Sequence, residues 1–182
     1  MRWDAGASVG VMQHFMTGAA PGAATPLPGP VGEVRAHLAL LPMLRLGPYL
    51  EHDVAFLSGA PAREVTEAGL RAKVSPPLLA LPWRTWAFLG VGYARAYEPS
   101  HSLSGSSDFV PGQGGGSLDI RVGLGLGYRV QRTLELFLEL GGQFGVFFTG
   151  SMYDRDGCGC AEPFQGKDSF ALSLSLGLSL YR

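Results

Sequence analysis

Residues 118–148, LDIRVGLGLGYRVQRTLELFLELGGQFGVFF, constrain the fold more than any other stretch of the chain. The even positions read Val122, Leu124, Leu126, Tyr128 and Val130, while the odd ones read Arg121, Gly123, Gly125, Gly127 and Arg129. After Gln131-Arg132 the alternation resumes, with Leu134, Leu136, Leu138 and Leu140 set against Glu135, Glu139, Gly141 and Gln143. Side chains on a strand point alternately to opposite faces, so each run carries one apolar face and one face of glycine and charge. Two such runs joined by a short link form an antiparallel hairpin. A soluble sheet normally covers its outer face with Lys, Glu and Thr. Here the polar face is mostly glycine, which suits the cramped interior of a narrow barrel whose leucines face lipid.

The alternation recurs eight times. The first run, 2–16, sets Trp3, Ala5, Ala7, Val9, Val11 and Phe15 against Asp4, Gly6, Ser8, Gly10 and His14. The second, 33–46, sets Val34, Ala36, Leu38, Leu40, Leu44 and Leu46 against Arg35, His37, Ala39 and Arg45. Pro42 lies within it and predicts a bulge or bend, because proline cannot donate to a ladder. A tight Gly47-Pro48 turn is then expected before the third run, 49–57, where Leu50, Val54 and Phe56 oppose Glu51 and Asp53. The fourth, 64–75, opposes Ala68, Leu70, Ala72 and Val74 to Glu67, Arg71 and Lys73. The fifth, 83–97, opposes Ala87, Leu89, Val91 and Tyr93 to Phe88, Gly90, Gly92 and Ala94. The hairpin above supplies the sixth and seventh. The eighth, 168–181, opposes Phe170, Leu172, Leu174, Leu176, Leu178 and Leu180 to Ser173, Ser175, Gly177 and Ser179.

These runs predict an all-β fold, an eight-stranded antiparallel up-and-down transmembrane β-barrel, as a single domain over residues 1–182. Runs of this length match the roughly 9–11 residues that a tilted strand needs to cross a bilayer. The long links, 17–32, 98–117 and 149–167, fall at one end and the tight turns at the other, which is the outer-membrane pattern. Aromatic rings supply a second check, since they favour the two membrane interfaces. Trp3, Tyr49, Trp83, Trp86, Tyr128 and Tyr181 fall at the short-turn, periplasmic end. Phe15, Phe56, Tyr93, Tyr97, Phe147, Phe148 and Phe170 fall toward the loop end.

Composition agrees. Charged residues are 16% of the chain, against about 25% in ordinary soluble domains. The net charge of −1 offers no basic face to nucleic acid. No run of 18 apolar residues exists, so no transmembrane helix is expected. Met1-Arg2-Trp3 leads straight into the first run, and the chain is read as a mature sequence whose leader was replaced by a start Met.

In Gly90-Val91-Gly92-Tyr93, in RVGLGLGYRV and in the closing FALSLSLGLSLYR, the chain resembles the small eight-stranded outer-membrane β-barrels, the OmpA/OmpX-like group. The resemblance is one of pattern over most of the chain. It implies residence in the bacterial outer membrane, with membrane lipid, lipopolysaccharide and the outer-membrane assembly machinery as partners. Such proteins commonly end on an outward aromatic. Here the outward series ends at Leu180 and the last aromatic, Tyr181, has the other parity. Either a bulge in the last strand or a chain end unlike the native one is expected.

The candidate functional residues are the inward charges Arg35, Arg45, Glu51, Asp53, Glu67, Arg71, Lys73, Arg121, Glu135 and Glu139. Buried charges are tolerable only when paired and hydrogen-bonded, and an eight-stranded lumen has room for little beyond side chains. A neutralised network filling the interior is therefore favoured over a polar conduit. Cys158-Gly159-Cys160 suggests a strained disulfide in an oxidising compartment, with free thiols and metal as the other readings. Asp154-Arg155-Asp156-Gly157 lacks the remaining ligands of a calcium loop. His52 is placed on the lipid face near the periplasmic end. His14 and His101 with Ser102 or Ser104 are the only materials for an acyl-transfer site, and no motif organises them. No metal site or cofactor is expected and no enzyme is assigned. The expected role is structural or interactive, an anchored barrel presenting its long loops. The alternatives are a small transport barrel, an outer-membrane lipid-modifying enzyme and a soluble lipocalin-like binder.

Overall fold

Each alternating run forms a strand, and the eight long strands close on themselves. In the computed structural model these are β1 (Trp3–Met16), β2 (Gly29–Ala39), β3 (Leu44–Leu57), β4 (Ala60–Val74), β5 (Trp83–Glu98), β6 (Gln113–Gln131), β7 (Leu134–Gly150) and β8 (Asp168–Tyr181). The structure describes residues 2–16, 26–57, 60–76, 82–98, 101–102, 109–110, 113–150 and 168–182. Every strand pairs antiparallel with its sequence neighbour, and β8 returns to pair with β1 from Asp4↔Tyr181 to Met16↔Ser169. Closure leaves no free edge, so strand backbone groups that lipid could not satisfy are paired. The bridge Pro26–Leu27 lies against the end of β3, and His101–Ser102 pairs with Phe109–Val110 between β5 and β6.

The leucine face looks outward. Val9 is 72% exposed and Leu124 64%, and the outward series of β7 and β8 are open in the same way, while Glu135, Glu139, Arg71 and Lys73 are buried inside. A soluble chain does not leave an apolar belt of this size bare to water. A lipocalin needs the reverse arrangement, with the leucines gathered round its cavity. The belt is bracketed by rings: Trp83 packs edge-on against Tyr128 at one end (centroids 5.0 Å apart), and Phe15 meets Phe170 at the other (5.8 Å). Phe56 and Tyr93 are outward at the loop end and Trp3 is half-exposed at the turn end. The side chains of Phe147 and Phe148 lie outside the described residues.

Three expectations are corrected. Gly47-Pro48 is not a turn, and Pro42 does not bulge a strand. The reversal between β2 and β3 occupies residues 40–43, with Pro42 inside it, and Gly47 and Pro48 lie within β3. The ladder between β2 and β3 is interrupted there, resuming from Leu38↔Leu46 to Arg35↔Tyr49. Proline has no N–H to give, and Gly47 lies so close to the Ala36 carbonyl that a Cβ would collide with it. Secondly, because β3 starts at Leu44, His52 sits past its middle toward the loop end, not near the turns. Thirdly, Tyr49, Trp86 and Tyr181 belong to no girdle: Tyr49 and Trp86 are buried in the lumen, and Tyr181 points in to meet Glu135. The last strand keeps one register throughout, with no bulge.

The glycines of β6 make room for neighbouring rings. A Cβ at Gly123 would strike the Phe88 ring and one at Gly125 the Trp86 indole. Gly142, on the outer face of β7, has its nearest such neighbour at 3.7 Å. Gly125→Val is therefore expected to destabilise the barrel by about 1–3 kcal/mol through overpacking, and Gly142→Val to leave it nearly unchanged. Urea titration of the two variants folded into lipid vesicles checks this.

Candidate functional site

Among the described residues, seven of the eight strands contribute inward charges to one set, arranged at three levels along the barrel, and β8 adds Tyr181. At the middle level Glu33 (β2) and Glu139 (β7) face Arg35 (β2), Arg71 (β4) and Arg121 (β6). Arg35 Nη1 donates to Glu33 Oε1 (2.9 Å) and Glu139 Oε2 (2.5 Å). Arg71 donates through Nη1 to Glu33 Oε1 (2.9 Å) and through Nη2 to Glu139 Oε1 (2.5 Å). Arg121 joins Glu33 Oε2 (3.0 Å) to Glu51 Oε2 (2.5 Å). The Trp86 indole N–H completes Glu139, at 2.6 Å from Oε1. Rings fill what the ion pairs leave: the Arg71 guanidinium lies 3.6 Å from the Phe88 centroid, Arg35 4.2 Å from Phe137, and Trp86 meets Phe137 edge-on. A guanidinium over a ring gains electrostatic attraction where water is excluded.

At the turn end, Asp4 accepts from His37 Nδ1 (2.8 Å) and from Arg45 Nη1 (2.5 Å). Tyr181 donates to Glu135 (2.5 Å), with Arg84 at 3.9 Å from the same carboxylate. Lys73 is 2% exposed and seats its ammonium 3.9 Å from the Trp86 ring. On the loop side of the middle level, Tyr49 donates to Glu67, and Gln143 Nε2 bridges Glu67 (2.8 Å) and Asp119 (2.5 Å). His14 pairs with Asp53 at 2.8 Å.

All ten charges named from the sequence thus lie on the inner wall: Arg35, Arg71, Arg121, Glu51 and Glu139 around the middle, Arg45, Lys73 and Glu135 toward the turns, Asp53 and Glu67 toward the loops. Three acids were missed as members. Asp4, Glu33 and Asp119 each have inward parity, and Glu33 is the acceptor three arginines share. It stands at the first position of the second run, where parity has no preceding residue to establish it. Register decides who meets whom, and alternation alone does not carry register.

Among the described residues no group of three or more His, Cys, Asp or Glu side chains is placed to hold a metal ion. Cys158, Cys160, residues 154–157 and Ser104 lie outside the described residues, as do the side chains of His101 and Ser102.

No protein-family model matches the sequence, and no curated protein matches it. Solved structures do match. Neisserial surface protein A aligns over 98% of this chain and 96% of its own, with 15% identity and a TM-score of 0.65. A major outer membrane protein from Thermus thermophilus aligns over 98% and 99%, with 17% identity and a TM-score of 0.54. The outer membrane protein OprG from Pseudomonas aeruginosa aligns over 100% and 94%, with 9% identity and a TM-score of 0.54. At these identities the likeness is one of fold, and the fold is that of the small bacterial outer-membrane β-barrels.

Proposed function

We propose that this chain, with its outer-membrane barrel fold, is an integral protein of the bacterial outer membrane that works as a closed anchor and not as a channel. On this reading the short turns and both ends of the strand array face the periplasm. The long links between β1 and β2, β5 and β6, and β7 and β8 face outward, where a partner or surface would meet them. The outer-membrane assembly machinery would insert the barrel, and lipopolysaccharide would surround its outer half. No catalytic step belongs to this reading.

The observation that carries it is the Glu33/Glu139 array. Three buried arginines from three strands are tied to three carboxylates, Glu33, Glu139 and Glu51, with Trp86, Phe88 and Phe137 packed between them. An ion crossing this level would have to displace bonds in which both partners are charged, the stronger class of protein hydrogen bond. Planar-bilayer recording of the purified barrel is expected to be electrically silent. Steady single-channel steps would instead favour the transport reading, with the lumen charges as its selectivity wall.

A further inference from the structure

The outer wall carries a polar site that neither the lumen nor the loops account for. Among the described side chains, the outward positions of the eight strands hold three ionisable groups apart from tyrosine: His52, Glu64 and Arg95. They are not scattered. All three lie on the consecutive strands β3, β4 and β5, in the loop-side part of each. His52 pairs with Thr66, and Thr66 pairs with Arg95, so the three form one row across the wall. Glu64 stands one row nearer the rim, opposite Tyr97. Tyr93 and Tyr97 flank Arg95 on its own strand, 55% and 53% exposed.

Depth identifies the surroundings. From Leu44 at the turn end to His52 is eight residues, roughly 20 Å along the normal for a strand rising about 3.3 Å per residue at a tilt near 40°. An apolar band is about 25 Å tall. The row therefore stands at the far edge of that band, where acyl chains give way to headgroups. An arginine at this depth costs little only if its charge reaches water or an anion.

We propose that the His52–Thr66–Arg95 row binds a phosphate of lipopolysaccharide in the outer leaflet; this rests on the outer-membrane reading given above. Arg95 makes no ion pair among the described residues, so its fork of donors is available to a phosphate, which it matches in geometry. His52 Nδ1 and Thr66 Oγ1 are 2.9 Å apart. In either tautomer the pair keeps a donor to spare: His52 Nε2–H when Nδ1 accepts, the Thr66 hydroxyl when Nδ1 donates. Glu64 selects the kind of lipid. A carboxylate one row toward the rim accepts hydrogen bonds from sugar hydroxyls, so a phosphorylated glycolipid, whose rings carry several hydroxyls, satisfies it more fully than a simple phospholipid headgroup does. Tyr93 and Tyr97 supply the amphipathic flanks that favour this interface.

The test uses the full chain folded in a zwitterionic detergent, with folding verified by heat-modifiable gel migration. Bisphosphorylated lipid A, its dephosphorylated form and phosphatidylglycerol are titrated separately, and bound lipid is counted by native mass spectrometry. The expected result is retention of bisphosphorylated lipid A, about tenfold weaker binding after dephosphorylation or in Arg95→Gln, and no change in Arg132→Gln at the turn end. Arg95→Lys should keep part of the binding, since it keeps the charge and loses the fork. A folded barrel that holds the dephosphorylated lipid or phosphatidylglycerol as tightly as bisphosphorylated lipid A overturns the site, as does an unaltered Arg95→Gln. Those outcomes leave the membrane reading standing. A wild-type chain that needs no detergent and shows no heat-modifiable form overturns both.

Discussion

Glu33→Ala is expected to destabilise the folded barrel by about 3–5 kcal/mol, the range for removing one partner of a buried ion pair. The physical reason is the number of cations it leaves behind. Glu33 accepts from Arg35 and Arg71 on one oxygen and from Arg121 on the other. Without it Arg35 and Arg71 retain Glu139, and Arg121 retains Glu51, but three buried guanidinium groups then share two carboxylates. Glu33→Gln keeps the shape and one acceptor oxygen, and should cost less than alanine. The measurement is equilibrium unfolding in urea from lipid vesicles, with the Arg121→Ala single variant and the double variant completing a cycle. Because the two side chains share a hydrogen bond, the double variant should differ from additivity by about 0.5–3 kcal/mol. An alanine variant as stable as the wild type would mean that the array tolerates losing its shared acceptor, and the closed-lumen reading would lose its support.

How much of this was legible in the sequence depended on what the two-residue period carries. Parity alone assigned Leu136 to the outside and Glu135 to the inside, and did so for nearly every position of all eight strands, because a one-residue slip would exchange the faces wholesale. Parity hid the turn at 40–43. That link has four residues, an even number, so the outward series Val34, Leu38 and Leu44, Leu46 runs through it in phase. Its residues, Leu40, Leu41, Pro42 and Met43, also lack the polar punctuation of most turns, whereas Gly47-Pro48 looks like one and is not. The misplaced turn moved His52 to the wrong end of its strand and so concealed the row it forms with Thr66 and Arg95. The aromatic assignments failed differently. Tyr49, Trp86 and Tyr181 have inward parity beside outward Leu50, Ala87 and Leu180, and assigning them by residue type overrode a signal that was present. What no pattern within one strand could supply was the identity of partners such as Arg71 and Glu139, 68 residues apart. That is a consequence of register and closure.

Leu124→Arg carries the strongest test of the orientation itself. Leu124 is 64% exposed on the outer face of β6, between Ala87 of β5 and Leu140 of β7, and it stands about midway between Tyr128 near one rim and Leu118 near the other. In a water-soluble barrel, arginine at so open a position would be harmless, since nothing packs over it and its charge would be solvated. In a bilayer the same substitution places a guanidinium near the midplane, at a cost of about 2–4 kcal/mol. Val130→Arg, on the same face beyond Tyr128, should cost no more than about 1 kcal/mol, because the side chain can reach the interface. The informative quantity is the difference between the two, measured by reversible unfolding in lipid vesicles, since it depends on depth and on nothing intrinsic to arginine in a strand. A large midplane penalty with a small rim penalty follows only if hydrocarbon surrounds the belt. Two equal and negligible penalties would mean that the leucine face meets water, and then neither the anchored barrel nor its lipid site could stand.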